Sequence, residues 1–196
     1  MAEQFDPAHV AKLENPERLV ELPPANLVKL LELRGAETVV DYGAGTGMYT
    51  LPLAAALPHG TVLAVDVQDV LLERLRGKLE AEPSGGRVQT VLVTDAQVPL
   101  DDGVADRVLM LNVLHHIYDQ PEALSELVRL LAPGGLLVSV EFARMHRPVG
   151  PPNDHVLPFE EVRALIRGLG LEEQAAYEPG EIGRYHNAVV ARKPAP

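Results

Sequence analysis

The chain reads as an α/β protein: a doubly wound, seven-stranded sheet with an antiparallel last strand and a helical N-terminal extension. Three observations predict it. Apolar runs of strand length alternate with amphipathic stretches of helix length between residues 38 and 142. These runs are apolar at successive positions, as in parallel strands buried on both faces. Near the end, two strand-like runs are joined only by a short segment holding Pro179-Gly180 and Gly183. That link is too short for a parallel crossover, so the last strand should form a hairpin with its predecessor.

Each element follows from local pattern. Residues 1–34 have helical character punctuated by Pro7, Pro16 and Pro23-Pro24. Leu27, Leu30, Leu31 and Leu33 give a one-sided apolar face for a helix ending at Gly35. The β-branched stretch 38–42 is the first strand and 46–57 the helix after it. Residues 61–65 form the second strand, and 69 to about 82 a helix closed by Pro83-Ser84-Gly85-Gly86. Strands follow at 88–93 and 106–111. The helix 121–131 carries Pro121 in its first turn, where proline is tolerated. Pro133-Gly134-Gly135 turns the chain into a fifth strand, 136–142. A helix at 159–168 and strands at 171–177 and 185–192 complete the set.

At 196 residues the chain is expected to be one domain, with 1–34 as extension, 35–145 as ligand-binding core and 146–196 completing the sheet. Without cysteine it can have neither disulfides, cysteine–zinc sites nor a cysteine nucleophile. Its formal net charge of -11 repels a phosphate backbone, so nucleic acid is not an expected partner. No apolar run has transmembrane length or the form of a signal peptide, which leads to the expectation of a cytoplasmic protein without membrane attachment.

The most informative segment is Val39-Val40-Asp41-Tyr42-Gly43-Ala44-Gly45-Thr46-Gly47-Met48. An apolar strand runs into a carboxylate and then glycines at alternate positions, which open the backbone to close ligand approach. A dinucleotide loop needs glycine at its first, third and sixth positions; counted from Gly43, the sixth is Met48. Asp41 further suits a cationic ligand better than a phosphate. In an open α/β sheet the ligand lies beyond the carboxyl ends of the strands. The second strand ends at Asp66-Val67, about twenty residues past the glycines, where a carboxylate can accept from a ribose diol. The third leads to Asp95-Ala96, which can meet an adenine amine and ring, and the fourth to Asn112, which can support an amino-acid end.

Asp41, Gly43, Gly45, Thr46 and Gly47, then Asp66 and Asp95, resemble as a set the motifs of class I S-adenosylmethionine-dependent methyltransferases. The turn Leu130-Leu131-Ala132-Pro133-Gly134-Gly135 resembles the one before the fifth strand in the same family. A seven-stranded sheet with an antiparallel last strand (the Rossmann-like methyltransferase fold) is what the resemblance implies, with S-adenosylmethionine as cofactor. It also implies roles: Asp41, Gly43, Gly45, Thr46 and Gly47 at the loop, Asp66 and Val67 at the ribose, Asp95 and Ala96 at adenine. Two rivals stay open: a nicotinamide-dependent oxidoreductase, disfavoured by Met48, and a non-catalytic cofactor-binding protein.

The acceptor side is read from three loops, 112–119, 143–158 and 179–186. They hold five of the seven histidines: His115, His116, His146, His155 and His186. His115, His116 and His155 are the candidate catalytic bases, with loop orientation by hydrogen bonds the alternative for His115 and His116. A metal site from His146, Asp154 and His155 has no helical register to support it, and none is expected. The stretch after the fourth strand is Asn112-Val113-Leu114-His115, without the Asp/Asn-Pro-Pro-aromatic segment of base-methylating enzymes. It resembles the small-molecule, ubiquinone/menaquinone-like group, so the expected partner is a small organic acceptor methylated by direct displacement. Residues 1–24 are expected to cover the cleft as a lid.

Overall fold

The computed structural model describes residues 6, 9–94, 97–148 and 150–195. Its elements run α1 (Val10–Leu13), α2 (Glu17–Glu21), α3 (Pro24–Leu30), β1 (Thr38–Tyr42), α4 (Thr50–Ala55), β2 (Thr61–Asp66) and α5 (Asp69–Leu79). They continue β3 (Val88–Leu92), β4 (Ala105–Leu111), α6 (Gln120–Leu130), β5 (Leu131–Phe142), α7 (Phe159–Gly168), β6 (Glu172–Tyr177) and β7 (His186–Arg192). The sheet has seven strands in the order β3-β2-β1-β4-β5-β7-β6. The β1–β2, β1–β4, β2–β3 and β4–β5 pairs are parallel. β7 alone reverses, pairing antiparallel with both β5 and β6, as the short link requires. The order turns back at β1, so the crevice beside β1 and β4 is where an open sheet of this kind takes its ligand.

Alternation along each strand divides the core into two apolar layers. Val108, Met110 and Leu137 face one side and pack with Leu124, Leu127 and Leu130 of α6. Leu109, Leu111, Val138 and Val140 face the other, against Leu27 and Leu30 of α3 and Leu53 of α4. The same alternation puts Glu141 on the α6 side of β5 and His186 of β7 with the α3 side, which separates two polar clusters discussed below.

Among the boundaries that differ from the sequence reading, these have a backbone reason. The helix expected over 46–57 is only Thr50–Ala55, because Gly47 sits at φ +81°, outside any right-handed helix. Residues 43–49 are therefore loop. The helix expected to reach Gly35 stops at Leu30, since Glu32 takes φ +50° and redirects the chain. The Pro133-Gly134-Gly135 turn lies inside β5 as a bulge: Ala105 pairs with Leu131, and Arg107 already with Leu136. Gly134 N donates to Lys193 O and Lys193 N to Gly135 O, both at 2.9 Å, so the bulge is still stitched to the chain after β7.

The N-terminal helices form a strap over the upper edge of the sheet. Arg184 N donates to Glu21 O at 2.8 Å and Asn26 Nδ2 to Ile182 O at 2.8 Å, tying α2 and α3 to the β6–β7 connection. At the other end Lys78 of α5 donates to Thr46 O (2.9 Å) and pairs with Glu14 (2.8 Å). The strap thus bridges the glycine loop and the closing hairpin. Among the described residues no helix is long and apolar enough to cross a membrane.

Candidate active site

β1 delivers Asp41 into a buried position, where Thr50 Oγ1 donates to Asp41 Oδ2 at 2.6 Å. Burial, with the Asp66 charge adding to it and the Thr50 bond opposing it, pushes the Asp41 carboxyl up to about 6. The chain then turns through Gly43, Gly45 and Gly47, all at positive φ. They are not equivalent. A Cβ on Gly43 would collide with Val113 and one on Gly47 with Leu75, whereas one on Gly45 would meet only Leu13 Cδ1, at 3.8 Å. Gly43 and Gly47 serve packing as well as conformation; Gly45 leaves space above the loop. Thr46 is buried, with no hydrogen-bond partner for its hydroxyl.

Asp66, at the end of β2, ties the two strand ends together. Its Oδ2 accepts from Gly45 N at 2.8 Å and its Oδ1 from Gln68 N at 2.9 Å. Burial nevertheless raises its pKa against the backbone donors Gln68, Gly45 and Val67. Two carboxylate oxygens offer four lone-pair directions, so with three backbone donors one remains for a ligand hydroxyl. Val67, beside it, is an exposed apolar side chain. Asp95 and Ala96 lie outside the described residues.

Beyond β4, Asn112 holds φ +56°, one of two non-glycine residues at positive φ among those described. Strain at a strand end is characteristic of residues fixed for a ligand. Asn112 N donates to Val140 O at 2.8 Å, and Asn112 Nδ2 lies 3.2 Å from His186 Nε2. Asn112 Oδ1 and His186 Nδ1 are buried without partners. Burial, then the charges of Arg18 and Arg147, lower His186 to about 3, so it stays neutral.

The following turn holds His115 and His116, their rings 4.1 Å apart. His115 Nδ1 is 2.6 Å from Glu141 Oε2, both side chains only 5% exposed. Glu141 Oε1 accepts from Val113 N (2.9 Å) and Leu114 N (2.7 Å). One carboxylate therefore fixes both the turn and the ring. His155 lies apart in an exposed turn of the 143–158 loop, its N donating to Pro152 O. Glu141 was missed by the sequence reading, although the rule used for Asp41 and Asp66, an acid at a strand's carboxyl end, would have found it. No group of side chains suited to a metal occurs among the described residues.

A strand-end carboxylate bonded to a glycine loop at the point where strand order reverses defines a class: an α/β protein that takes a nucleoside-bearing ligand over β1 and β2. Within that class the chain belongs to the methyltransferase domain family, whose model matches residues 40–139. It is similar to the ubiquinone/menaquinone biosynthesis C-methyltransferases UbiE of Bordetella avium (34% identical over 133 residues, 65% of this chain and 51% of that protein) and of a Geobacter species (29% over 123 residues, 62% and 52%). The chain thus spans about half the length of those curated relatives. Among solved structures, a SAM-dependent methyltransferase from Aquifex aeolicus superposes with a TM-score of 0.89 at 27% identity, covering 96% of this chain and 99% of that one. The 4+2 cyclase SpnF shares the fold, with a TM-score of 0.77 at 17% identity and coverage of 88% and 81%.

Proposed function

We propose that this chain is an S-adenosylmethionine-dependent methyltransferase acting on a small organic acceptor by direct displacement. The observation that carries the reading is the bond from Gly45 N to Asp66 Oδ2, which joins the glycine loop of β1 to the acid of β2. The residues present fit the donor. Asp66 keeps a lone pair for a ribose hydroxyl, the space above Gly45 admits an adenosyl group, and the buried Asn112 Oδ1, without a partner, is open to a polar contact. Asp41, Gly43, Gly45, Thr46, Gly47, Asp66, Val67, Asp95, Ala96 and Asn112 are the proposed donor-binding residues. When bound, S-adenosylmethionine supplies an electrophilic methyl group on a sulfonium.

The rest is positioning by the chain. Asp41 places negative charge below the donor's cationic end. His115, with Nδ1 turned to Glu141, presents Nε2 as the nitrogen able to take a proton from the acceptor. His116, its ring tilted against that of His115, flanks the acceptor; His155 stays in the proposal as an outer base on the 143–158 loop. Residues 1–34 cover the cleft, 35–145 hold the donor and 146–196 complete the sheet, all within one domain. A cytoplasmic setting belongs to the same proposal, as does an acceptor other than nucleic acid, which the net charge of -11 supports.

The test is calorimetric titration with S-adenosylhomocysteine and NAD. The demethylated donor product should bind and NAD should not; the opposite result would sink the assignment. Asp66→Ala and Gly45→Val should each weaken the product by about tenfold or more, through lost charge-assisted hydrogen bonds and a blocked approach. Cofactor binding without methyl transfer, the rival the sequence leaves open, is the second reading. Label from methyl-labelled donor entering a metabolite pool decides against it.

A further inference from the structure

The chain is acidic overall, yet the side where the acceptor would enter carries two arginines around a neutral histidine. Arg18 comes from α2 in the strap, Arg147 from the 143–158 loop, and His186 begins β7. Neither arginine forms an ion pair among the described residues, whereas Arg76, Arg129, Arg163 and Arg192, elsewhere on the molecule, all do. Arg18 stands over the Tyr49 ring at 5.7 Å and has one hydrogen bond in the described structure, Nη1 to Leu13 O at 2.8 Å. Its Nε and Nη2 edges are uncommitted.

Arg147 stacks on Phe142 at 5.1 Å, and the same Phe142 ring lies 4.5 Å from His186. Its Nη atoms brace the loop through Ala143 O, Met145 O, Pro151 O and Asn153 Oδ1. All four acceptors are uncharged, and Arg147 Nε is buried without a partner. Bracing therefore accounts for the nitrogens it uses, but leaves the charge uncompensated and one donor free.

The nearby carboxylates do not cancel these charges. Glu141 is committed to His115 and two backbone N–H groups. Glu21 acts electrostatically on Arg18 and Arg184 without an ion-pair contact to either among the described residues, and burial raises its own pKa. The Arg184 N–Glu21 O and Ala143 N–Tyr185 O bonds, both 2.8 Å, bring α2 and the 143–158 loop to the start of β7, and buried atoms without partners on Arg147, His186 and Asn112 make this a polar site lacking its counter-charge. A planar guanidinium fork matches an oxyanion bidentately.

We propose that the methyl acceptor carries an anionic group, a carboxylate or a phosphate, which docks between Arg18 and Arg147 beside His186 and Asn112. This rests on the methyl-transfer reading for the word acceptor, but the anion site can be measured without turnover. Arg18, carried by the strap, and Arg147 then act as specificity-determining residues.

The experiment is titration of the full chain, with and without saturating S-adenosylhomocysteine, with benzoate, phenyl phosphate and the neutral isostere benzamide, each to ~10 mM. Benzoate or phenyl phosphate should bind at least about tenfold tighter than benzamide, and the stronger of the two identifies the head group. Raising salt should weaken the anions and leave benzamide unchanged. Arg18→Gln and Arg147→Gln should each remove about tenfold of anion affinity, while Arg167→Gln, an exposed substitution on α7, should remove none. Should Arg147→Gln disturb its loop, Arg18→Gln and the salt series on the unaltered chain still decide. Equal affinity for benzamide, no anion binding, or anion affinity indifferent to both substitutions and to salt overturns the proposal. Failure of S-adenosylhomocysteine to bind refutes the donor assignment separately and leaves the benzoate–benzamide contrast readable.

Discussion

Asp41→Asn should make the protein more stable and a poorer binder of its donor. Asp41 is buried at the end of β1 with one side-chain partner, Thr50, and its carboxyl rises from 3.8 to about 6. Below pH 3.8 the group is protonated in both folded and unfolded chains and has no effect. Between 3.8 and about 6 the unfolded chain gives up the proton while the folded chain keeps it, so stability falls as pH rises through this window and stays low above it. A shift of about two units at ~1.4 kcal/mol each gives a cost near ~3 kcal/mol at neutral pH. Asparagine is nearly isosteric, still accepts from Thr50 and never ionises. Thermal unfolding at pH 7.5 should therefore show Tm raised by about 5–10 °C, with the gap closing near pH 4. The same variant should bind S-adenosylmethionine about tenfold more weakly, having lost the charge below its cationic end. A variant no more stable at pH 7.5, or one whose advantage persists at pH 4, would refute the argument.

Gly43→Ala should destabilise by about 2 kcal/mol or more and abolish donor binding, because its Cβ collides with Val113 at a positive φ. Gly45→Ala, with open space around its Cβ, should cost only about 1 kcal/mol of backbone strain; denaturant titration of the pair checks the order. Glu141→Gln should lower turnover about tenfold or more with little change in donor affinity, and shift the pH profile, because an amide nitrogen facing His115 Nδ1 forces the other tautomer. An unaltered profile would make Glu141 merely a brace for the turn. Deleting residues 1–20 removes Glu14 and Arg18, hence the Lys78 latch and one arm of the anion site, and should raise acceptor KM about tenfold while sparing donor affinity. Unchanged kinetics would sink the lid.

What the sequence made legible is whatever depends on local pattern. Continuous apolar runs marked the strands, and the brief Pro179–Gly183 link dictated the reversed β7. The donor half of the site was legible for the same reason: Asp41, the glycines and Asp66 sit at strand ends, and topology alone puts strand ends together. Contacts between distant segments had no such signature. Nothing local in Val-Glu-Phe says that Glu141 reaches back to His115 across 26 residues. Arg18 and Arg147 come from distant segments, and only the fold brings both to bear on His186. The helix ends at Leu30 and Thr50 were misplaced because positive φ at Glu32 and Gly47 is a tertiary choice that leucine periodicity does not report.

The two halves of the site differ in charge, and that difference has mechanistic content. Donor-side strand ends contribute Asp41 and Asp66, both buried and both raised in pKa, so they gain from a cation placed beside them. The acceptor side contributes Arg18 and Arg147, whose missing counter-charge is an anion. A sulfonium beside Asp41 and Asp66 and an anion beside Arg18 and Arg147 therefore each offset a charge that burial disfavours. Binding of the first ligand should then narrow the cost of ordering the strap for the second, since Lys78 and Glu14 connect the strap to the loop that receives the donor. If that coupling holds, saturating S-adenosylhomocysteine should tighten benzoate binding severalfold in the intact chain. In Glu14→Gln, where the latch is cut but both ligand sites keep their residues, the gain should vanish; equal enhancement in both proteins would show that the two halves act independently.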